Sequence, residues 1–349
     1  MAGGASNAED DESSEAEVEA FLALLEEARA RETAIAAERP TAEIMGMILL
    51  QNAKDLHAHL NVRRTSAYDS LGDDKSEADE YDFHPAPGSP ADQDLQWAES
   101  LVGFADNPIR ISLDLIQRLV AATVEHLEGL AQLTAATTLM RAPVSLARSA
   151  MEAAATAAHL ADSTVPREDR LRRALNLRLA ELGEARYEHS GGLDEADWFE
   201  REIDAISTGV AGLGLAVKNT DRRSRGLPSI HPKDTTQTVI QEILERDLGS
   251  SVWRSMSAVA HSREALMLVV VDALNPRGGN EQWRARDLAR NCLPALVVVD
   301  QLIPRLGTYL GWDMTDAWDD AKKTLLDVWL RGSGALDEEI ERKLFGDPA

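Results

Sequence analysis

Apolar residues along most of this chain recur at three- and four-residue intervals, the spacing that lines one face of an α-helix. Val18, Phe21, Leu22, Leu25 and Ala28 follow it and stop before Pro40; Ile44, Met47, Ile48, Ala53, Leu56 and Leu60 resume it from about Thr41. The two runs predict an N-terminal helical hairpin over 15–60. Residues 1–14 before it are acidic, lack apolar periodicity and are expected to form a disordered tail. From 61 to 94 the pattern is lost: RRTSAYDSLGDDKSEADEYDFHPAPGSPADQD carries charges, Ser, Gly and three prolines, which predicts a flexible acidic linker. That would leave the hairpin either tethered to the rest or packed loosely on it.

Beyond about residue 95 nearly everything reads as helix. One run opens at Pro108, a second spans Pro143 to about Asp162, and a third opens at Pro166. Proline suits a helix start because its missing N–H would have no partner there anyway. Asp194 can cap the next helix, and Asp234 with Gln237 has capping-box spacing for another. KNTDRRSRGLPSIHPKD, between these last two, reads as a long loop. Further helices are expected over 251–274, from Asn280 to about Leu310, and over 315–331. Val269–Val271 and Val297–Val299 are β-branched runs, but each lies inside a longer helical pattern, so length decides against strands. The expected fold is all-α: a multi-helix bundle over 95–349, with the hairpin joined to it by the acidic linker.

Composition narrows the classes. The formal charge is −24, and residues 1–100 hold 23 acids against 7 bases. Such an excess argues against general electrostatic affinity for nucleic acid or anionic membrane. One cysteine, Cys292, excludes an internal disulfide and a cysteine-based zinc site. No stretch is long and apolar enough to span a bilayer, and the acidic start does not resemble a signal peptide. The expectation is a soluble, cytoplasmic protein. No phosphate-binding or dinucleotide glycine loop, nucleophile elbow or HEXXH occurs, so neither cofactor nor metal is expected. Gly209, Gly212 and Gly214 follow no predicted strand and read as close helix packing; His57 and His59 read as exposed polar residues. Tryptophans in the last hundred residues, Trp312 among them, read as core packing with the indole N–H on a carbonyl.

Two polar stripes remain. On PVSLARSAMEAAATAAHLAD, residues Ser145, Arg148, Ser149, Glu152, Thr156 and His159 share one face of an otherwise Ala-rich helix. Arg148 and Glu152, one turn apart, can satisfy each other. On SVWRSMSAVAHSREALMLVVVDAL, residues Arg254, Ser257, His261 and Glu264 also share a face, with Arg254 and His261 almost two full turns apart. A guanidinium beside an imidazole suits phosphodiester chemistry: histidine exchanges a proton near neutral pH, while arginine holds charge developing on phosphorus. The same residues could equally be buried structural groups knitting this helix to the Arg148/Glu152 stripe.

LARSAMEAAATAAHLADSTVPREDRLRRALNLRLAEL, followed further on by VWRSMSAVAHS, resembles bacterial helical proteins of the HEPN superfamily over roughly 140–275. Ribonucleases of that family carry an arginine and a histidine separated by four to six residues, which Arg254 and His261 match. The resemblance implies a metal-independent endoribonuclease in stress or phage defence, a homodimer whose motifs meet at the subunit interface, and Arg254 and His261 as catalytic residues. Arg148, Glu152 and Ser257 would support them. After the arginine the family carries an amide, imidazole or carboxylate; here stands Ser255, so a member that only binds or regulates is also implied. Arg222, Arg223 and Arg225 form the centre of a basic loop that could contact RNA phosphates. Arginines over 167–178, interleaved with acids, could do the same, but both clusters read more readily as a solvated or salt-bridged face. The alternative of another class is a non-catalytic helical scaffold or interaction module, with the N-terminal hairpin free to take a protein partner.

Overall fold

A computed structural model of the chain describes residues 43–61, 83–104, 106–136, 141–188, 193–219, 228–230, 236–244, 256 and 285–314. They are mostly helical, as the periodicity predicts. We number the elements α1 (43–61), α2 (Pro90–Ala98), α3 (Pro108–Ala136), α4 (Arg141–Leu160), α5 (Arg167–Glu188), α6 (Leu193–Gly212), β1 (Val217–Asn219), β2 (Pro228–Ile230), α7 (Thr236–Ile243) and α8 (Ala285–Leu310).

Helix α4 is the axis of the described bundle. It packs on α3, α8, α7 and α5, while α5 also meets α3, α6 and β2. Its alanines explain this: Ala147, Ala150, Ala154, Ala155, Ala157 and Ala158 are all fully buried. A helix with small residues on nearly every side lets several neighbours approach closely, at the cost of burying less apolar area per residue.

Local chemistry sets the helix ends. Ser89 caps α2 by accepting a hydrogen bond from the Asp92 N–H at 3.2 Å, and Pro90 takes the first helical position. Asn107 does the same for α3, its Oδ1 accepting from the Ile109 N–H at 3.0 Å. Gly214 and Gly311 stop α6 and α8 in the left-handed region, with φ of 71° and 70°. In both cases the next residue reaches back, Leu215 N–H to the Val210 carbonyl at 3.0 Å and Trp312 N–H to the Gly307 carbonyl at 2.9 Å. Gly209 and Gly212 act as the sequence predicts, through close packing. A Cβ at Gly209 would fall 2.4 Å from the Phe104 ring, and one at Gly212 would fall 2.6 Å from the Val102 carbonyl oxygen.

Three features differ from the sequence expectation. First, α1 shares the core: Met45, Leu49, Ala53, Leu56 and Leu60 are buried in the same apolar cluster as α3, α4 and α8. Gly46 lets it lie directly on α3, where an added Cβ would meet the Ala131 carbonyl oxygen at 2.6 Å. The first half of the expected hairpin, with the acidic tail, lies outside the described residues. Second, the expected linker over 61–94 is described from Phe83 onward, and there it is packed. Phe83 meets the Trp312 ring edge-on at 5.0 Å, the Trp312 indole N–H donates to the His84 carbonyl at 3.1 Å, and the Ala86 N–H donates to the Leu310 carbonyl at 2.7 Å. Proline- and charge-rich text hid a segment that buries Phe83, Ser89, Ala91 and Asp94. Third, the ends of the KNTDRRSRGLPSIHPKD loop pair as a short antiparallel ribbon, Val217 opposite Ile230, Lys218 opposite Ser229 and Asn219 opposite Pro228. Three-residue strands produce no readable alternation.

Candidate functional site

Helix α4 carries its predicted polar stripe at the predicted period. The Glu152 Oε1 accepts from Arg148 Nε at 2.8 Å and lies 2.8 Å from its Nη2. The pair is partly covered, with 13% of the Arg148 side chain and 28% of the Glu152 side chain exposed. Spacing of one helical turn makes the contact, and partial burial strengthens it above a surface pair. One turn on, the Thr156 hydroxyl donates to the Glu152 carbonyl at 2.8 Å, and Ser149 likewise bonds back to Ser145 at 3.2 Å. These hydroxyls spend their hydrogen bonds on their own helix.

At its C-terminal end the stripe meets two other helices. His159 is buried, with its Nδ1 3.4 Å from Glu242 Oε2 on α7, while its carbonyl accepts from Arg173 Nη1 on α5 at 2.8 Å. A turn beyond, Asp162 accepts the Thr164 N–H at 3.0 Å and its hydroxyl at 2.6 Å. Burial works to raise the Asp162 carboxyl, but these bonds and the charges of Arg305 and Arg173 outweigh it and hold it below the usual carboxylate range.

The most buried polar cluster joins α2, α5 and α8. Arg170 grips Asp94 with both arms of its guanidinium, Nε to Oδ2 at 2.8 Å and Nη2 to Oδ1 at 2.7 Å. The Tyr309 hydroxyl donates to Asp94 Oδ2 at 3.2 Å, and the guanidinium lies 5.6 Å from the Tyr309 ring centre. The remaining arm of Arg170 donates to the Val165 carbonyl. Only 7% of the Arg170 side chain and 2% of the Asp94 side chain are exposed. Burial opposes the guanidinium charge, yet bonding to the Asp94 carboxylate prevails and holds Arg170 above its ordinary range. Burial, with the neighbouring Asp94 charge, pushes the Tyr309 hydroxyl well above the tyrosine range. Sequence reading missed this triad. Asp94 is 76 residues from Arg170 and 215 from Tyr309, so no helical spacing could announce it. The cluster fastens three helices together, and the one guanidinium arm that does not reach Asp94 is taken by the Val165 carbonyl.

The arginines of α5 are similarly engaged. Arg167 stacks 4.8 Å over Trp97 and lies 3.4 Å from Glu168; Arg172 is 3.4 Å from Asp169 and Arg178 is 3.4 Å from Glu181. This agrees with the salt-bridged reading of that segment. The ribbon base is pinned to α5 by the Ile230 N–H donating to the buried Asn176 Oδ1 at 2.6 Å, leaving Lys218 exposed. Arg222, Arg223 and Arg225, between its strands, lie outside the described residues, as do Arg254, Ser257 and His261. The structure therefore brings Arg148 to Glu152 and leaves the other predicted site residues unplaced. Met256 stands between Arg254 and Ser257; it is helical and only 3% exposed, within the common core. Among the described residues no cluster of three or more His, Cys, Asp or Glu could hold a metal ion, and no helix is long and apolar enough to cross a membrane.

The chain matches no known protein-family model, no curated protein and no solved structure.

Proposed function

We propose that this chain is an RNA-acting protein, similar to the HEPN superfamily, that cuts phosphodiesters without a metal through Arg254 and His261. The carrying observation is the burial of Met256 in the core. On the helical spacing that the sequence predicts over 251–274, Arg254, Ser257 and His261 lie about 100–160° round the helix from Met256. A single helix over 251–274, held by Met256, would turn that polar face away from the packed side. In that arrangement His261 moves the proton of the attacking 2′-hydroxyl or of the leaving oxygen, and Arg254 stabilises the charge gathering on phosphorus. Arg222, Arg223 and Arg225 hold the RNA backbone from the ribbon pinned at Asn176. The protein works in the cytoplasm as a homodimer, and the N-terminal hairpin takes a protein partner.

The experiment is cleavage of a panel of structured and single-stranded RNAs by the purified full chain in excess EDTA. Products should end in a 2′,3′-cyclic phosphate. His261→Ala should lower the rate by about 10²–10⁴-fold with little change in the thermal midpoint. A second reading, a non-catalytic helical scaffold, is favoured by the way the described polar groups pair internally, Arg148 with Glu152 and Arg170 with Asp94. It requires the opposite result: no RNA cut across the panel, and a midpoint that falls by many degrees in His261→Ala.

A further inference from the structure

No further inference is drawn: the strongest candidate, the side-chain cluster of His159, Glu242 and Arg173 where α4, α5 and α7 meet, carries nothing because residues 245–255 lie outside the described ones and nothing in the structure shows which ligand or charged group would face it.

Discussion

Asp94 accepts hydrogen bonds from Arg170 and Tyr309 with almost no exposure to water, so its removal strands a guanidinium in the core without a counter-charge. Breaking a pair of this kind costs about 3–5 kcal/mol, far more than a surface ion pair is worth. Asp94→Ala should lose that amount in urea unfolding of the full chain, and Asp94→Asn less, because the amide oxygen still accepts one bond. A loss below about 1 kcal/mol in Asp94→Ala would mean that another group takes over the charge. Tyr309, beside it, gives a test in pH. Its hydroxyl keeps its proton in the folded chain well beyond the point where an unfolded tyrosine, near pH 10, gives it up. The unfolded chain then binds fewer protons, so stability is whole below about pH 10 and falls as pH rises, by about 1.4 kcal/mol per pH unit for one such group. Buried Cys292 acts in the same direction from about the thiol range upward. Tyr309→Phe should keep the Cys292 contribution and flatten the rest of the decline. Equal alkaline slopes for the two chains, measured by urea titration between pH 9 and 11.5, would contradict the assignment.

Helices here meet where a side chain is missing. Gly46 of α1 has the Ala131 carbonyl oxygen and the Ala135 Cβ at 2.6 and 2.9 Å from where its own Cβ would sit, and neither neighbour can turn aside. Gly46→Ala improves helix propensity by about 1 kcal/mol, yet forcing α1 off α3 costs about 1–3 kcal/mol, so a net loss is expected. Gly129 on α3 is the control. There a Cβ meets only the Leu146 Cδ1, at 3.1 Å, the far end of a side chain that can move. Gly129→Ala should be neutral or stabilising. Thermal midpoints of the two variants check the contrast, and equal midpoints would show that α1 does not lie on α3 at this distance.

At the scale of the molecule, Met45, Leu49, Ala53, Leu56 and Leu60 of α1, and Phe83 and Ala91 after it, are buried in the core that α3, α4 and α8 share. A protease that cuts at Arg63, Arg64 or Lys75, within the stretch whose composition reads as a linker, should leave the N-terminal piece attached. Met45, Leu49, Leu56 and Leu60 would otherwise be exposed to water, at about 1.5–3 kcal/mol for each large side chain. Native size exclusion of the nicked chain should show one species, separating into two bands only on a denaturing gel. Two native peaks would restore the loosely tethered hairpin.

The sequence by itself determined what depends on near neighbours. Helix periodicity placed α3, α4, α5 and α8, Pro108 and Pro166 marked where two of them start, and one-turn spacing brought Arg148 to Glu152. Each of these is a matter of backbone geometry within a few residues, and residue type controls it directly. Tertiary structure alone decided the contacts between segments far apart: Asp94 with Arg170 and Tyr309, Asn176 with Ile230, His159 with Glu242, and α1 on α3. Asp94 shows why. In a run of charges and prolines it looks solvated, and only the arrival of a guanidinium from α5 and a hydroxyl from α8 makes its burial favourable, because a carboxylate can leave water only where other groups replace the hydrogen bonds that water gave it.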